Sequence, residues 1–275
     1  MQQVRYPGAI TSMVTYGDRV QGFLAVPERG TGPYGALILG HERYGLVQHT
    51  LDLVAKFAAD GYVSLAPDLF SRWEGDKAAL NRGDIQVPLS DADIGGYMSD
   101  SLDYLLADAR VDSARIAAMG VCQSGDYPLV LNSVRPEIAA NVVVYGGAQK
   151  GVWEQNAGRP EPYESILARL TAPMLGIFGE ADFLISIDDV ARLRRALEKH
   201  RKSYEVKMVA GMPHGWMNDT MPGRYRPQET AETWALILDF LERVAAGAFP
   251  PDRVRWRFES DIAQDYDFTK NVRLA

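Results

Sequence analysis

After residue 33 the chain repeats one pattern that few folds can use: a short apolar run, then a longer stretch with helical spacing, then another apolar run. The runs are Ala36–Leu39, Tyr62–Ala66, Ile116–Met119, Val142–Tyr145, Met174–Phe178 and Tyr204–Val209. Runs this short and this continuously apolar suit strands buried on both faces, as in a parallel sheet. The intervening stretches predict helices over Thr50–Asp60, Asp91–Asp108, Ser124–Ser133, Ile187–His200 and Gln228–Ala246. In the first, Thr50 is the expected N-cap and Gly61 the stop. In the last, Trp234, Ile237, Leu241 and Val244 form one stripe. Such alternation specifies a doubly wound, mainly parallel sheet with helices on both faces.

The first thirty residues differ, with polar and apolar residues alternating around Gly17-Asp18, which predicts an antiparallel hairpin at the sheet edge. Two stretches fit the α/β pattern poorly. Residues 148–163 are too long for an ordinary strand-to-helix loop and are expected to form a lid or pocket wall. Residues 249–275 follow Pro250-Pro251 and carry Trp256, Phe258, Tyr266 and Phe268 among alternating charges. The expected organisation is a single domain over 1–248, with 249–275 as an arm docked on it or across a homodimer.

Composition removes other classes of function. A formal net charge of −7 opposes the phosphate attraction that nucleic-acid binding needs. No apolar run approaches a membrane span, and the first residues lack an apolar signal core, so a cytoplasmic location is expected. One cysteine, Cys122, cannot form an intramolecular disulfide.

In open α/β sheets, ligands bind beyond the carboxyl ends of the strands, and three chemical groups fall there. Ile116–Met119 runs into Gly120-Val-Cys122-Gln-Ser-Gly125 and a helix, a nucleophile elbow with cysteine at its apex. The turn needs small neighbours, and the helix N-terminus behind it favours a thiolate. Met174–Phe178 leads to Gly179-Glu-Ala-Asp182, and the last run leads to Gly211-Met-Pro-His214-Gly215. Nucleophile, acid, base is the chain order of α/β hydrolases and differs from that of the chymotrypsin and subtilisin types. His214 would take the thiol proton and Asp182 would orient the imidazole. The backbone N–H groups of Gln123 and Arg43 are the expected oxyanion donors.

Each piece has a plainer alternative. Cys122 could be a small core residue, Asp182 a turn residue or helix cap, and His214 a satisfied polar group in a Gly/Pro turn. His200 suits a helix C-terminus. His41 and His49 with Glu42 lack any close histidine-pair motif, so no metal is expected. Ser124 is not centred in G-x-S-x-G.

With elbow, acid and base in this order, the chain resembles the dienelactone hydrolase family of cysteine-dependent α/β hydrolases over roughly Met13 to Ala246. The resemblance implies an α/β-hydrolase fold, a Cys122–His214–Asp182 triad, no cofactor, and opening of an ester or enol-lactone bond through a thioester acyl-enzyme. It further implies that Glu42 modulates the thiol and that Arg72, after Pro67-Asp-Leu-Phe-Ser, holds a substrate carboxylate. The family's second carboxylate-binding arginine falls at Asn218 here, leaving Arg224 or Arg226 as replacements. Tyr44, Trp73, Tyr145 and Trp216 are candidate pocket walls. A broad carboxylesterase or thioesterase, and a catalytically silent binding protein on the same fold, are the alternatives.

Overall fold

A computed structural model describes residues 6–261. All six apolar runs become strands: β3 (Tyr34–Gly40), β4 (Tyr62–Pro67), β5 (Val111–Val121), β6 (Ala140–Val144), β7 (Met174–Gly179) and β8 (Tyr204–Val209). The N-terminal segment is the expected antiparallel hairpin, β1 (Ala9–Tyr16) and β2 (Val20–Pro27). With β9 (Trp256–Ser260) these form one sheet in the order β1-β2-β4-β3-β5-β6-β7-β8-β9. The pairings of β2 with β1 and with β4 are antiparallel, and every other pairing is parallel.

Alternation along the strands divides the core between the two faces of the sheet. In β3, Ala36 and Ile38 face one side and Leu37 and Leu39 the other. The first side is covered by α3 (Asp91–Leu106), α4 (Tyr127–Val134), α5 (Tyr163–Ala168) and α6 (Ile187–Lys199). The second is covered by α1 (Gln48–Ala59) and α7 (Pro227–Ala245). A short helix, α2 (Lys77–Arg82), lies between β4 and α3.

Three local expectations are corrected. Helix α1 starts at Gln48 after Val47, so Thr50 is not its N-cap; the Thr50 hydroxyl instead reaches back to the Gly45 carbonyl at 3.4 Å. The helix expected from Ser124 begins at Tyr127, because the elbow first makes a 3₁₀ turn, Cys122–Ser124, and Pro128 suits only a first helical turn. The strand β9 was not expected at all, and it extends the sheet in parallel with β8. Tyr266 and Phe268 of the expected arm lie outside the described residues.

Chain order reverses at β3. From there the chain moves to β4 on one side and then to β5 on the other, making a switch point between β3 and β5. The loops after these two strands carry Glu42-Arg43 and Cys122, which puts both at the crevice where such sheets bind ligands.

Candidate active site

The elbow is held by close backbone approach. A Cβ on Gly120 would come within 1.9 Å of the Ser124 carbonyl oxygen, and one on Gly125 within 2.3 Å of Gly146. Ser124 is fully buried, and its hydroxyl bonds both the N–H and the carbonyl of Val121, each at 3.0 Å. That serine closes the turn and is not free to be a nucleophile. Cys122 itself has φ +56°, the left-handed region that costs a non-glycine residue of order 1–3 kcal/mol.

Around the sulfur the structure brings together the three expected groups. His214 Nε2 lies 3.1 Å from Cys122 Sγ, and His214 Nδ1 lies 2.8 Å from Asp182 Oδ2. The Asp182 side chain is wholly enclosed, and its other oxygen accepts from the backbone N–H of Leu184 (2.8 Å) and Ile185 (3.2 Å). Asp182 is therefore a turn residue and the partner of the imidazole at once. Burial alone would pull the His214 pKa down. The hydrogen bonds and charges of Asp182 and Cys122 together outweigh it, pushing the pKa up to about 9.

That shift has a stability consequence. His214 gains its partners on folding, so its contribution is complete below its ordinary pKa of 6.5 and is lost as pH rises through about 9. The unfolding free-energy gap between wild type and His214→Gln is expected to narrow across that window. Denaturant titrations at a series of pH values check this, and a gap that is flat from pH 6 to about pH 10 would contradict it.

Cys122 and His214 open into a cavity of about 670 Å³. Gln123, Arg43, Tyr44 and Tyr145 line it too, which keeps the expected oxyanion donors and two of the expected walls at the site. The Tyr145 ring meets His214 edge-on at 5.3 Å, and its hydroxyl is buried with no partner among the described residues. Segment 148–163 supplies a wall through Gln149, Lys150, Val152, Asn156 and Arg159. Arg159 pins that wall, reaching Asp126 at 2.5 Å and Asp91 at 3.5 Å. Four cationic side chains, Arg43, Lys150, Arg159 and Arg224, line the cavity against one carboxylate, Asp126.

Several expected residues are placed elsewhere. Arg72 is not among the lining residues, because Asp18 O (3.0 Å), Asp100 Oδ2 (2.9 Å) and the Tyr97 ring (4.6 Å) hold its guanidinium. Trp73 packs toward Phe70 outside the cavity. Trp216 is fully buried behind Tyr145, at 4.9 Å, and bonds Thr233, so it supports the wall without forming it. Glu42 is buried as well, and the hydrogen bond its carboxylate makes comes from Asn218 Nδ2 at 2.7 Å. Of the two replacement arginines, Arg226 is spent on the carbonyls of Gly223, Arg224 and Tyr225. Arg224 reaches the cavity, its guanidinium 5.4 Å from the Phe183 ring centre and without a carboxylate partner among the described residues.

The other histidines have structural partners. His41 accepts from the Leu69 N–H at 3.0 Å and donates to the Glu42 carbonyl at 2.6 Å, tying together the loops after β3 and β4. Burial holds its pKa down. His49 bonds Asp219 and His200 bonds Glu164. Among the described residues, no cluster of three or more His, Cys, Asp or Glu could hold a metal, and no helix is long and apolar enough to cross a membrane. Sequence reasoning missed the Arg159 clamp and the Asn218–Glu42 bond, since both join residues far apart in the chain.

A model of the dienelactone hydrolase family matches residues 20–245. A Yersinia pestis protein named "Putative carboxymethylenebutenolidase" is 26% identical over 243 residues, covering 87% of this chain and 90% of its own. A Salmonella typhimurium protein of the same name is 28% identical, covering 84% and 85%. Among solved structures, a Klebsiella pneumoniae protein described as "Putative Dienelactone Hydrolase" superposes with TM-score 0.75 at 23% identity, over 86% of this chain and 99% of that one. A dienelactone hydrolase-like promiscuous phosphotriesterase from metagenomic libraries gives TM-score 0.70 at 21% identity, with the same coverage.

Proposed function

We propose, from the premise that this chain belongs to the dienelactone hydrolase family, that it opens the ester or enol-lactone bond of a small carboxylate-bearing substrate by covalent catalysis at Cys122. The observation that carries this reading is the continuous chain of contacts from Cys122 Sγ through His214 to Asp182 at the wall of one cavity.

With its pKa raised to about 9, His214 Nε2 already holds the proton of the thiol when sulfur attacks the acyl carbon, and the Asp182 carboxylate stabilises this imidazolium. Negative charge moves to the former carbonyl oxygen, where the backbone N–H groups of Gln123 and Arg43 receive it. Collapse breaks the carbon–oxygen bond. His214 gives its proton to the leaving oxygen, and a thioester to Cys122 remains. Water then adds to the thioester with His214 as base, releasing the acid and restoring the thiol. A pKa near 9 suits His214 to hold the proton between these transfers. No step requires a cofactor.

The cationic lining supports a carboxylate on the substrate, with Arg224 in place of Arg72 as its anchor. Asn218, where the family pattern carries an arginine, is occupied with Glu42, while Arg224 enters from the following turn. Arg224→Met is expected to lower kcat/KM on a carboxylate-bearing lactone by roughly 10- to 100-fold, the value of a charge-assisted hydrogen bond. A neutral 4-nitrophenyl ester should be nearly unaffected. Arg72→Met should act alike on both substrates, through folding alone. A panel of lactones and esters with and without a carboxylate, compared by kcat/KM, tests the whole reading. Equal loss on charged and neutral substrates would remove the anchor from Arg224, and absence of turnover across the panel would favour a silent binding protein.

A further inference from the structure

The turn that presents Asp182 also decides where its neighbours go. Asp182 Oδ1 accepts from the N–H groups of Leu184 and Ile185, and Ser186 and Asp189 then cap α6 reciprocally. Between these fixed points Ile185 is buried, while Phe183 and Leu184 are turned outward, 68% and 50% exposed. Phe183 is the most exposed large apolar side chain among the described residues. Hydrogen bonds on both sides of the segment hold this apolar pair outside the core.

The pair stands where the catalytic cavity meets solvent. Both residues line that cavity with Cys122 and His214, and the Phe183 ring meets the His214 ring edge-on at 5.8 Å. Arg224 lies over the same phenyl ring at 5.4 Å. A platform for that arginine would need Phe183 alone, and it gives no reason for Leu184 to be exposed beside it. Apolar side chains left exposed at the wall of a binding cavity are contact surface for what the cavity takes.

The reaction geometry fixes which part of a substrate reaches this surface. In the mechanism above, His214 Nε2 gives its proton to the leaving oxygen, which must then come within about 3 Å of that nitrogen. The carbon attached to the leaving oxygen therefore passes beside Phe183, which flanks the same imidazole. The oxyanion points instead to the N–H groups of Gln123 and Arg43, and the acyl substituent takes the remaining tetrahedral position, away from Nε2.

We propose that Phe183 and Leu184 form a subsite for an apolar group on the leaving-oxygen side of the substrate: the alkyl or aryl alcohol of an open ester, or an apolar substituent on the carbon that bears the ring oxygen of a lactone. The subsite rests on ester hydrolysis at Cys122, and it adds the side of the scissile bond on which apolar bulk is accepted. Held in place beforehand, the pair takes that group at little ordering cost.

Two ester series on the full chain separate the two sides of the bond: ethyl to hexyl acetate lengthens the alcohol, and ethyl acetate to ethyl hexanoate lengthens the acyl group. Ethanol and hexanol differ little in acidity, so the first series reads contact and not bond strength. Wild-type kcat/KM should rise about twofold per alcohol methylene, because half-burial contributes half the free energy that makes full burial worth about fourfold. From ethyl to hexyl that amounts to about 16-fold, and the acyl series should be clearly flatter. Phe183→Ser and Leu184→Ser should each cut the hexyl-to-ethyl ratio to about fourfold or less, while Phe183→Leu keeps most of it. The ratio is taken within one variant, so a change at the imidazole itself cancels. Both side chains are exposed, and the melting temperature should hold in all three variants. Ester turnover without the rise, an acyl series as steep as the alcohol one, or a ratio that ignores both serine variants overturns the subsite and leaves the catalytic reading standing. So does a serine variant of lower mass in light scattering, which would make the pair an interface between copies. Wild-type protein inactive on every ester overturns the catalytic reading, and the subsite with it.

Discussion

Cys122→Ala is expected to lose about 10⁴-fold or more in kcat/KM on every substrate the protein turns over, the scale seen when a covalent nucleophile is removed. The loss should not come from unfolding. Cys122 sits on a turn whose shape is set by its neighbours: Ser124 bonding both backbone groups of Val121, and Gly120 and Gly125 packed where a Cβ would collide. Alanine occupies the same turn at the same φ, so the melting temperature should barely move. Cys122→Ala also separates this serine from the thiol. Ser124 is enclosed and fully bonded, and activity surviving in Cys122→Ala at more than a few per cent of wild type would mean that another group attacks the substrate. Iodoacetamide supplies the complementary result, one alkyl group per chain accompanying complete inactivation, because Cys122 is the one cysteine in the sequence.

The parts of the fold that depend on local pattern were readable from the sequence. Six apolar runs gave six strands, because a strand buried on both faces has no choice but continuous apolarity. Cys122, Asp182 and His214 could be brought to one place because each follows such a run, and strand ends in a parallel sheet converge on one edge. What failed depends on long-range partners. Arg72 has the right neighbours in sequence, but Asp18 in the hairpin turn and Asp100 in α3 take its guanidinium, and no local signal announces either. Trp216 stands two residues from His214, but its indole packs in the core behind Tyr145 and bonds Thr233 on α7, a partner that no local signal announces. Arg224 and Arg226 are indistinguishable in sequence, and only the path of the turn decides which reaches the cavity. Strand β9 was hidden by Pro250-Pro251 and its dense charge, which read as an arm because an edge strand needs only one buried neighbour.

His214→Ala and Asp182→Ala are expected to be strongly non-additive. Removing the imidazole takes away the group that accepts the thiol proton, and kcat/KM should fall by roughly 10⁴-fold or more. Asp182→Ala leaves the ring in place but strips its orienting partner at 2.8 Å and one source of the raised His214 pKa, so its own loss should be large and somewhat smaller. In the proposed mechanism Asp182 acts on the reaction only through His214. Once the imidazole is gone, deleting the carboxylate has nothing further to remove, and the double variant should match His214→Ala within about threefold. Asp182→Ala also leaves the N–H groups of Leu184 and Ile185 without their acceptor, so part of its loss could arise from a displaced turn. Asp182→Asn separates the two effects, since its amide oxygen still accepts from that turn while the charge facing Nδ1 is gone. The asparagine variant should keep wild-type stability better than the alanine one and still lose most of the activity, with the His214 titration moved down from about 9. Losses that simply add in log kcat/KM, or an asparagine variant with near-wild-type turnover, would show that Asp182 serves the turn alone and that Cys122 and His214 work without it.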